Sequence, residues 1–192
     1  MPPIQQVLAA SSPIEWSLRL ARETDATAMA DLIPRSVRRL QASYYTPAQI
    51  AAALGSVFDV DRQLIRDSTY FVVERDGLLV GCGGWSRRGS LYGGDAGRIE
   101  EDRLLDPQKD AARVRAFFVH PDWVRQGIGR RILKACEQAI IKAGFRSIEM
   151  VATLAGEPFY LKFDYTVEER FVMELGGGLE LPVVRMGKRI AN

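Results

Sequence analysis

The sequence predicts one α/β domain of about seven strands and four helices, in the order β-α-α-β-β-β-α-β-α-β-β. Three observations carry this expectation. The chain has 192 residues, 47% of them hydrophobic, which suits one sizeable core and would be cramped for two. Short runs rich in β-formers are interleaved with longer stripes of helical period. An Asp-Gly pair, Asp76-Gly77, separates two of those runs, the strongest short hairpin signal.

Residues 1–15 (MPPIQQVLAASSPIE) show no clear period and carry three prolines. They read as an N-terminal extension, with residues 16–192 as a single domain. Trp16 to Leu20 alternates, with Trp16, Leu18 and Leu20 on one face, and forms the first strand. Thr24 or Asp25 can cap the helix that follows, whose stripe is Met29, Ile33, Val37 and Leu40. Pro34 is expected to kink it, because proline cannot donate to the carbonyl four residues back. Thr46-Pro47-Ala48-Gln49 combines an N-cap threonine, a proline at the first helical position and a glutamine that closes a capping box. Ile50 and Leu54 face inward, and Gly55 ends this second helix. Thr69 to Arg75 and Leu78 to Trp85 are the hairpin strands. Residues 87–110 form a polar, glycine-bearing insertion between strands three and four, with five acids from Asp95 to Asp106. Excursions of this length are uncommon in compact domains and often functional.

Ala112 to Val119 is the fourth strand, which His120-Pro121 ends. A helix from about Gln126 to Ala143 lines one side with Ile128, Ile132, Cys136, Ala139 and Ile140, and Gly144 stops it. Phe145 to Ala152 is a strand and Glu157 to Lys162 a short helix. Phe163 to Glu174 and Leu181 to Arg189 close the chain as two strands around Gly176-Gly177-Gly178.

Composition excludes several classes. Lys plus Arg number 26 and Asp plus Glu 24, a net charge of +2, so no dedicated nucleic-acid surface is expected and any anion site must be local. The two cysteines, Cys82 and Cys136, read as small core hydrophobes. With one histidine and no Cys-x-x-Cys, no metal site is expected. No apolar run approaches a membrane span, and no basic region precedes an apolar core at the N-terminus. The expected location is the reducing cytoplasm.

The most informative segment is Val119-His120-Pro121-Asp122-Trp123-Val124-Arg125-Gln126-Gly127-Ile128-Gly129-Arg130-Arg131. A strand runs into a turn with two glycines, and a basic helix starts at once. A helix N-terminus offers unpaired backbone N–H groups and the positive end of the macrodipole. Gly127 and Gly129 let the backbone approach an anion closely, and Arg125, Arg130 and Arg131 add positive charge. A pyrophosphate is the natural guest. A dinucleotide-binding fingerprint would need a third glycine where Ile132 stands, and an earlier βαβ opening.

Arg115 to Leu133 (RAFFVHPDWVRQGIGRRIL) resembles the acetyl-CoA motif of the GNAT superfamily of N-acetyltransferases, Arg/Gln-x-x-Gly-x-Gly/Ala. Phe159-Tyr160-Leu161-Lys162-Phe163-Asp164-Tyr165 resembles the same superfamily's Phe-Tyr-x-x-x-Gly-Phe box. The order of elements is similar from about Trp16 to Ile190. Val124 stands where the motif has Arg or Gln, and Asp164 where glycine is usual. The resemblance implies a mixed, mostly antiparallel sheet whose fourth and fifth strands splay, and acetyl-CoA as cosubstrate. It implies that the backbone of Phe117, Phe118 and Val119 pairs with the pantetheine arm. The amides of Arg125, Gln126, Gly127, Ile128, Gly129 and Arg130 would hold the pyrophosphate, and Thr153 would touch the cofactor by its hydroxyl.

By the same resemblance, Tyr160 lies near the cofactor sulfur, where a phenol can protonate the departing thiolate. A backbone N–H near Val119 would steady the thioester carbonyl. Candidates for the base are Glu149 on the fifth strand, His120, the insertion acids Glu100, Glu101 and Asp102, or a water chain. Tyr44, Tyr45 and Trp85 are candidates to line the acceptor pocket, and the acceptor would be a small-molecule or peptide amine. A non-catalytic acyl-CoA-binding module is the competing reading. The final strands could support a homodimer by edge pairing.

Overall fold

A computed structural model describes residues 16–92 and 103–190. The expected N-terminal extension, and the insertion acids Glu100, Glu101 and Asp102, lie outside the described residues. One seven-stranded sheet runs in the order β1-β2-β3-β4-β5-β7-β6. Its strands are β1 (Trp16–Leu20), β2 (Tyr70–Arg75), β3 (Leu78–Ser86), β4 (Ala112–Val119), β5 (Ser147–Thr153), β6 (Thr166–Gly176) and β7 (Leu179–Arg189). The helices are α1 (Ala26–Leu40), α2 (Pro47–Ala53), α3 (Arg62–Arg66), α4 (Ile128–Lys142) and α5 (Glu157–Leu161). All neighbouring strands are antiparallel except β4 and β5.

Local chemistry explains most of these boundaries. Asp76 and Gly77 take φ of +49° and +77°, the two positive values that a tight hairpin turn between twisted strands requires. Thr46 Oγ1 accepts from Gln49 N–H at 3.3 Å while Gln49 Oε1 accepts from Thr46 N–H at 2.9 Å, so the capping box of α2 forms as read. Helix α1 runs continuously through Pro34. Asp25 does not cap it with its side chain; that carboxylate instead accepts from Arg22 N–H and pairs with Arg19. One helix was not expected: α3 starts where the Asp61 carboxylate accepts the Leu64 N–H at 3.2 Å.

The core lies on both faces of the sheet. Helices α1, α2 and α3 cover one face around Met29, Ile33, Leu64 and Phe118. Helix α4 covers the other with Ile132, Cys136 and Ile140 against Val114, Ile148 and Met150. Both cysteines are buried and free, inside these layers. Trp85 belongs to the α4 layer, edge-on to Phe145. Among the described residues no helix is long and apolar enough to cross a membrane.

Candidate active site

Strand β4 carries the site. Its register against β3 shifts between Cys82 and Gly84, which oppose Phe118 and Arg115, so β4 holds one extra residue. Ala116 takes φ of +60° there, and its carbonyl accepts from the Tyr70 hydroxyl at 3.2 Å. A bulge of this kind reverses which side chain faces which layer. Consequently Phe117 packs in the α4 layer, and Phe118 in the opposite one. The bulge had no turn residue to announce it in the sequence.

On its other edge β4 pairs with β5 only at Ala112–Ile148 and Arg113–Glu149. Beyond Arg113 the two strands part. The resulting cleft, of about 120 Å³, is lined by both strands, by Gly156 and Tyr160 of the α5 region, and by Gln41, Phe58, Asp59, Leu91 and Tyr92. Phe117, Phe118 and Thr153 line it as well. Thr153 Oγ1 accepts from Gly156 N–H at 3.2 Å, which leaves its hydroxyl proton free to donate elsewhere. Val119 N–H donates to Ser36 Oγ at 3.3 Å, so a carbonyl arriving at that amide must share or displace the serine hydroxyl.

At the far end of β4 the chain makes a short 3-10 turn, Pro121–Trp123, and enters α4. Arg125 and Gly127 take φ of +63° and +83°. Among the described residues Arg131 is the first amide of α4 to donate to a backbone carbonyl, to Gly127 at 3.0 Å, which leaves those of Ile128, Gly129 and Arg130 without a partner in the helix. Amides left over at a helix N-terminus favour an anion. A Cβ on Gly129 would come within 3.2 Å of the Phe159 ring, so that glycine also lets α4 start against α5.

Tyr160 is buried among the rings of Phe117, Phe159 and Tyr165, whose centroids lie 6.2, 5.0 and 5.8 Å away. Burial, with a smaller contribution from nearby Cys136, pushes its phenol above the ordinary tyrosine value, so it stays protonated. Glu149 stands apart from these residues. It does not line the cleft, and its carboxylate is held by Arg113 of β4 and, at 3.7 Å, by Arg185 of β7. It sits where β4 and β5 are still hydrogen-bonded, upstream of the opening. His120 accepts from Asp122 N–H through Nδ1 and caps the 3-10 turn. Tyr45 is buried, donating to Pro182 O at 2.7 Å and accepting from Leu154 N–H, and Trp85 is in the α4 layer. Neither lines the cleft between β4 and β5: Tyr45 is held by backbone groups and Trp85 by packing. Tyr44 is half exposed.

The cleft wall contains residues that the sequence did not single out. Arg115 is buried and pairs through Nε with Asp61 at 2.9 Å, and its Nη1 donates to Ser90 O at 2.6 Å. Arg113 Nε donates to Gly89 O, and Arg88 grips Asp67 through two nitrogens. These arginines stitch the first leg of the insertion over β4, placing Leu91 and Tyr92 on the cleft. Among the described residues no group of three or more His, Cys, Asp or Glu could hold a metal ion.

A family model for the acetyltransferase (GNAT) domain matches residues 66–167, which takes in the hairpin, the bulged strand, the glycine turn and Tyr160. The chain belongs to the GNAT acetyltransferase family. Solved structures share the fold. A GCN5-related N-acetyltransferase of Rhodopseudomonas palustris superposes with a TM-score of 0.68 at 19% identity, covering 94% of this chain and 100% of that one. The PaiA N-acetyltransferase of Thermoplasma acidophilum, solved in complex with coenzyme A, gives 0.63 at 14% identity over 92% and 100%. A ribosomal-protein-alanine N-acetyltransferase of Brucella melitensis gives 0.60 at 15% over 91% and 99%. No curated protein matches the chain by sequence. The GNAT assignment agrees with the splayed β4–β5 pair and with the resemblance carried by the two sequence motifs.

Proposed function

We propose that this GNAT domain transfers an acetyl group from acetyl-CoA to a primary amine of a small molecule or peptide, by direct attack in a ternary complex. The observation that carries the reading is the glycine turn that runs into the unpaired first amides of α4, Ile128 through Arg130, set at the end of the strand that borders the cleft. One anion cradle and one narrow slot, joined by β4, suit a ligand with a diphosphate and a thin amide-bearing arm. The residues fit that ligand: Gly127 and Gly129 keep the turn open to phosphate oxygens, and the free edge of β4 beyond Arg113 offers strand-type hydrogen bonds to amides. Phe117, Phe118, Val119 and Thr153 would border the arm.

In the reaction the neutral amine nitrogen attacks the thioester carbonyl carbon, a C–N bond forms and the C–S bond breaks. The nitrogen sheds a proton and the sulfur gains one. Tyr160 is the donor assigned to the sulfur. Its buried phenol is protonated at any working pH and lies on the cleft wall. As negative charge gathers on sulfur in this apolar setting, a positioned O–H donor is worth more than the same donor in water. Glu149 is assigned an anchoring role between β4 and β7 and not that of the base, because two arginines already hold its carboxylate.

The test begins with thermal melting in the presence of acetyl-CoA, CoA and NAD separately. Stabilisation by the first two and not by NAD supports the reading; no shift at saturating CoA refutes it. Amine acceptors are then screened with wild type and Tyr160→Phe. The expected loss is about 100-fold or more in kcat with little change in CoA affinity. Tight CoA binding with no turnover on any amine would instead favour a non-catalytic binding module.

A further inference from the structure

The glycine turn has a feature that its anion-binding role does not explain. Arg125 is not a glycine, yet it sits in the left-handed region at φ +63°, a conformation that costs an L-residue about 1–2 kcal/mol. It closes a tight turn with Val124, whose φ of −64° and ψ of 157° give the type II pattern that calls for a positive φ at the next residue. A non-glycine residue there is strained, so contacts from outside the turn help to hold its shape.

A side-chain clasp from the neighbouring strands makes such contacts. Trp16 of β1 and Arg75 of β2 are direct cross-strand partners. The Arg75 guanidinium lies 4.0 Å from the Trp123 ring centroid and 4.9 Å from that of Trp16. The two tryptophans meet edge to face at 6.0 Å. Arg75 Nη1 also donates to Gln126 Oε1 at 3.2 Å. Trp123 and Gln126 therefore bracket Arg125, two residues before it and one after, and one guanidinium holds both. The Arg75 side chain is only 13% exposed, so its ring contacts are largely desolvated, where cation–π attraction is strongest. A planar fork suits this double task, stacking on a ring with its face while its edge reaches an amide oxygen.

We propose that Arg75 is a positioning residue for the cosubstrate: it holds the turn from Trp123 to Gly127 in the shape that aims its amides at the diphosphate. This rests on the acetyl-CoA reading above. The binding consequence is specific. Loss of the clasp releases the turn and weakens the hold on the diphosphate, while the slot that takes the pantetheine arm, bordered by β4, β5 and α5, is untouched.

The test compares wild type, Arg75→Met and Arg75→Lys by calorimetry with two probes, CoA and pantetheine, the second lacking the diphosphate. The expected result is CoA binding weakened about tenfold in Arg75→Met, with pantetheine binding within about twofold of wild type. Arg75→Lys keeps the charge and loses the fork, so it should recover only part of the affinity. Equal CoA affinity in wild type and Arg75→Met overturns the proposal, as does a parallel loss of both probes, which would mark general damage. Should Arg75→Met fail to fold, Arg75→Lys decides, and CoA affinity indistinguishable from wild type overturns it. Wild type that binds no CoA would bring down the cosubstrate reading itself, a result distinct from wild type binding CoA and the variants binding it equally.

Discussion

The buried pair between Asp61 and Arg115 offers a sharp stability experiment. The two side chains are 1% and 4% exposed and meet at 2.9 Å. Removing one partner of a buried ion pair leaves a charge without compensation and costs about 3–5 kcal/mol. Asp61→Ala also removes the cap on α3, where the carboxylate accepts Leu64 N–H, worth about 1 kcal/mol more. The sum is a large part of the roughly 5–15 kcal/mol that stabilises a domain. For a chain of this length it lowers Tm by about 10–20 °C. The double variant Asp61→Leu with Arg115→Met behaves differently, because an apolar pair of similar volume replaces both charges and avoids their desolvation. It should lose only the cap and the Arg115 bond to Ser90 O, together about 2 kcal/mol. Urea unfolding of wild type, both singles and the double gives the coupling directly. Asp61→Ala within about 1 kcal/mol of wild type, or a double variant as unstable as the sum of the singles, refutes the reasoning.

Further outcomes follow from the same structure. Burial raises the thiols of Cys82, to about 12, and Cys136, and the phenols of Tyr70, Tyr160 and Tyr165. Groups whose folded pKa exceeds the unfolded one contribute stability that is complete below the unfolded value and lost above it. Tm should therefore be level to about pH 8.5 and fall beyond it, most steeply past about pH 10; an unchanged Tm between those points refutes it. Thr46→Ala, which breaks the α2 capping box, should cost about 1 kcal/mol in urea unfolding. Glu149→Gln should leave the pH profile of kcat unchanged, since its carboxylate is held by arginines outside the cleft; a lost acidic limb would restore it as the base.

Much of the fold was legible because its signals are local. The Asp76-Gly77 hairpin, the Thr46 box and the stop at Pro121 each follow from the chemistry of a few adjacent residues. The turn with Gly127 just before α4 was legible for the same reason. What stayed hidden depends on partners far away in the chain. The bulge at Ala116 is held by Tyr70, and α3 is only five residues long, too short to show a period. Trp85 looked available for a pocket because nothing in its own strand names Phe145 as its neighbour. The ion pairs of Glu149 were hidden for a similar reason: Arg113 and Arg185 lie on two other strands.

An open sheet ordinarily has two edges, but the parting of β4 from β5 gives this one two more in its interior. Edges invite extension by any strand that fits. Here the two inner edges face a cleft of about 120 Å³ walled by Phe58, Leu91 and Tyr92. An incoming strand has to pass those side chains to reach either inner edge, which sets these edges apart from the open ones that promote association.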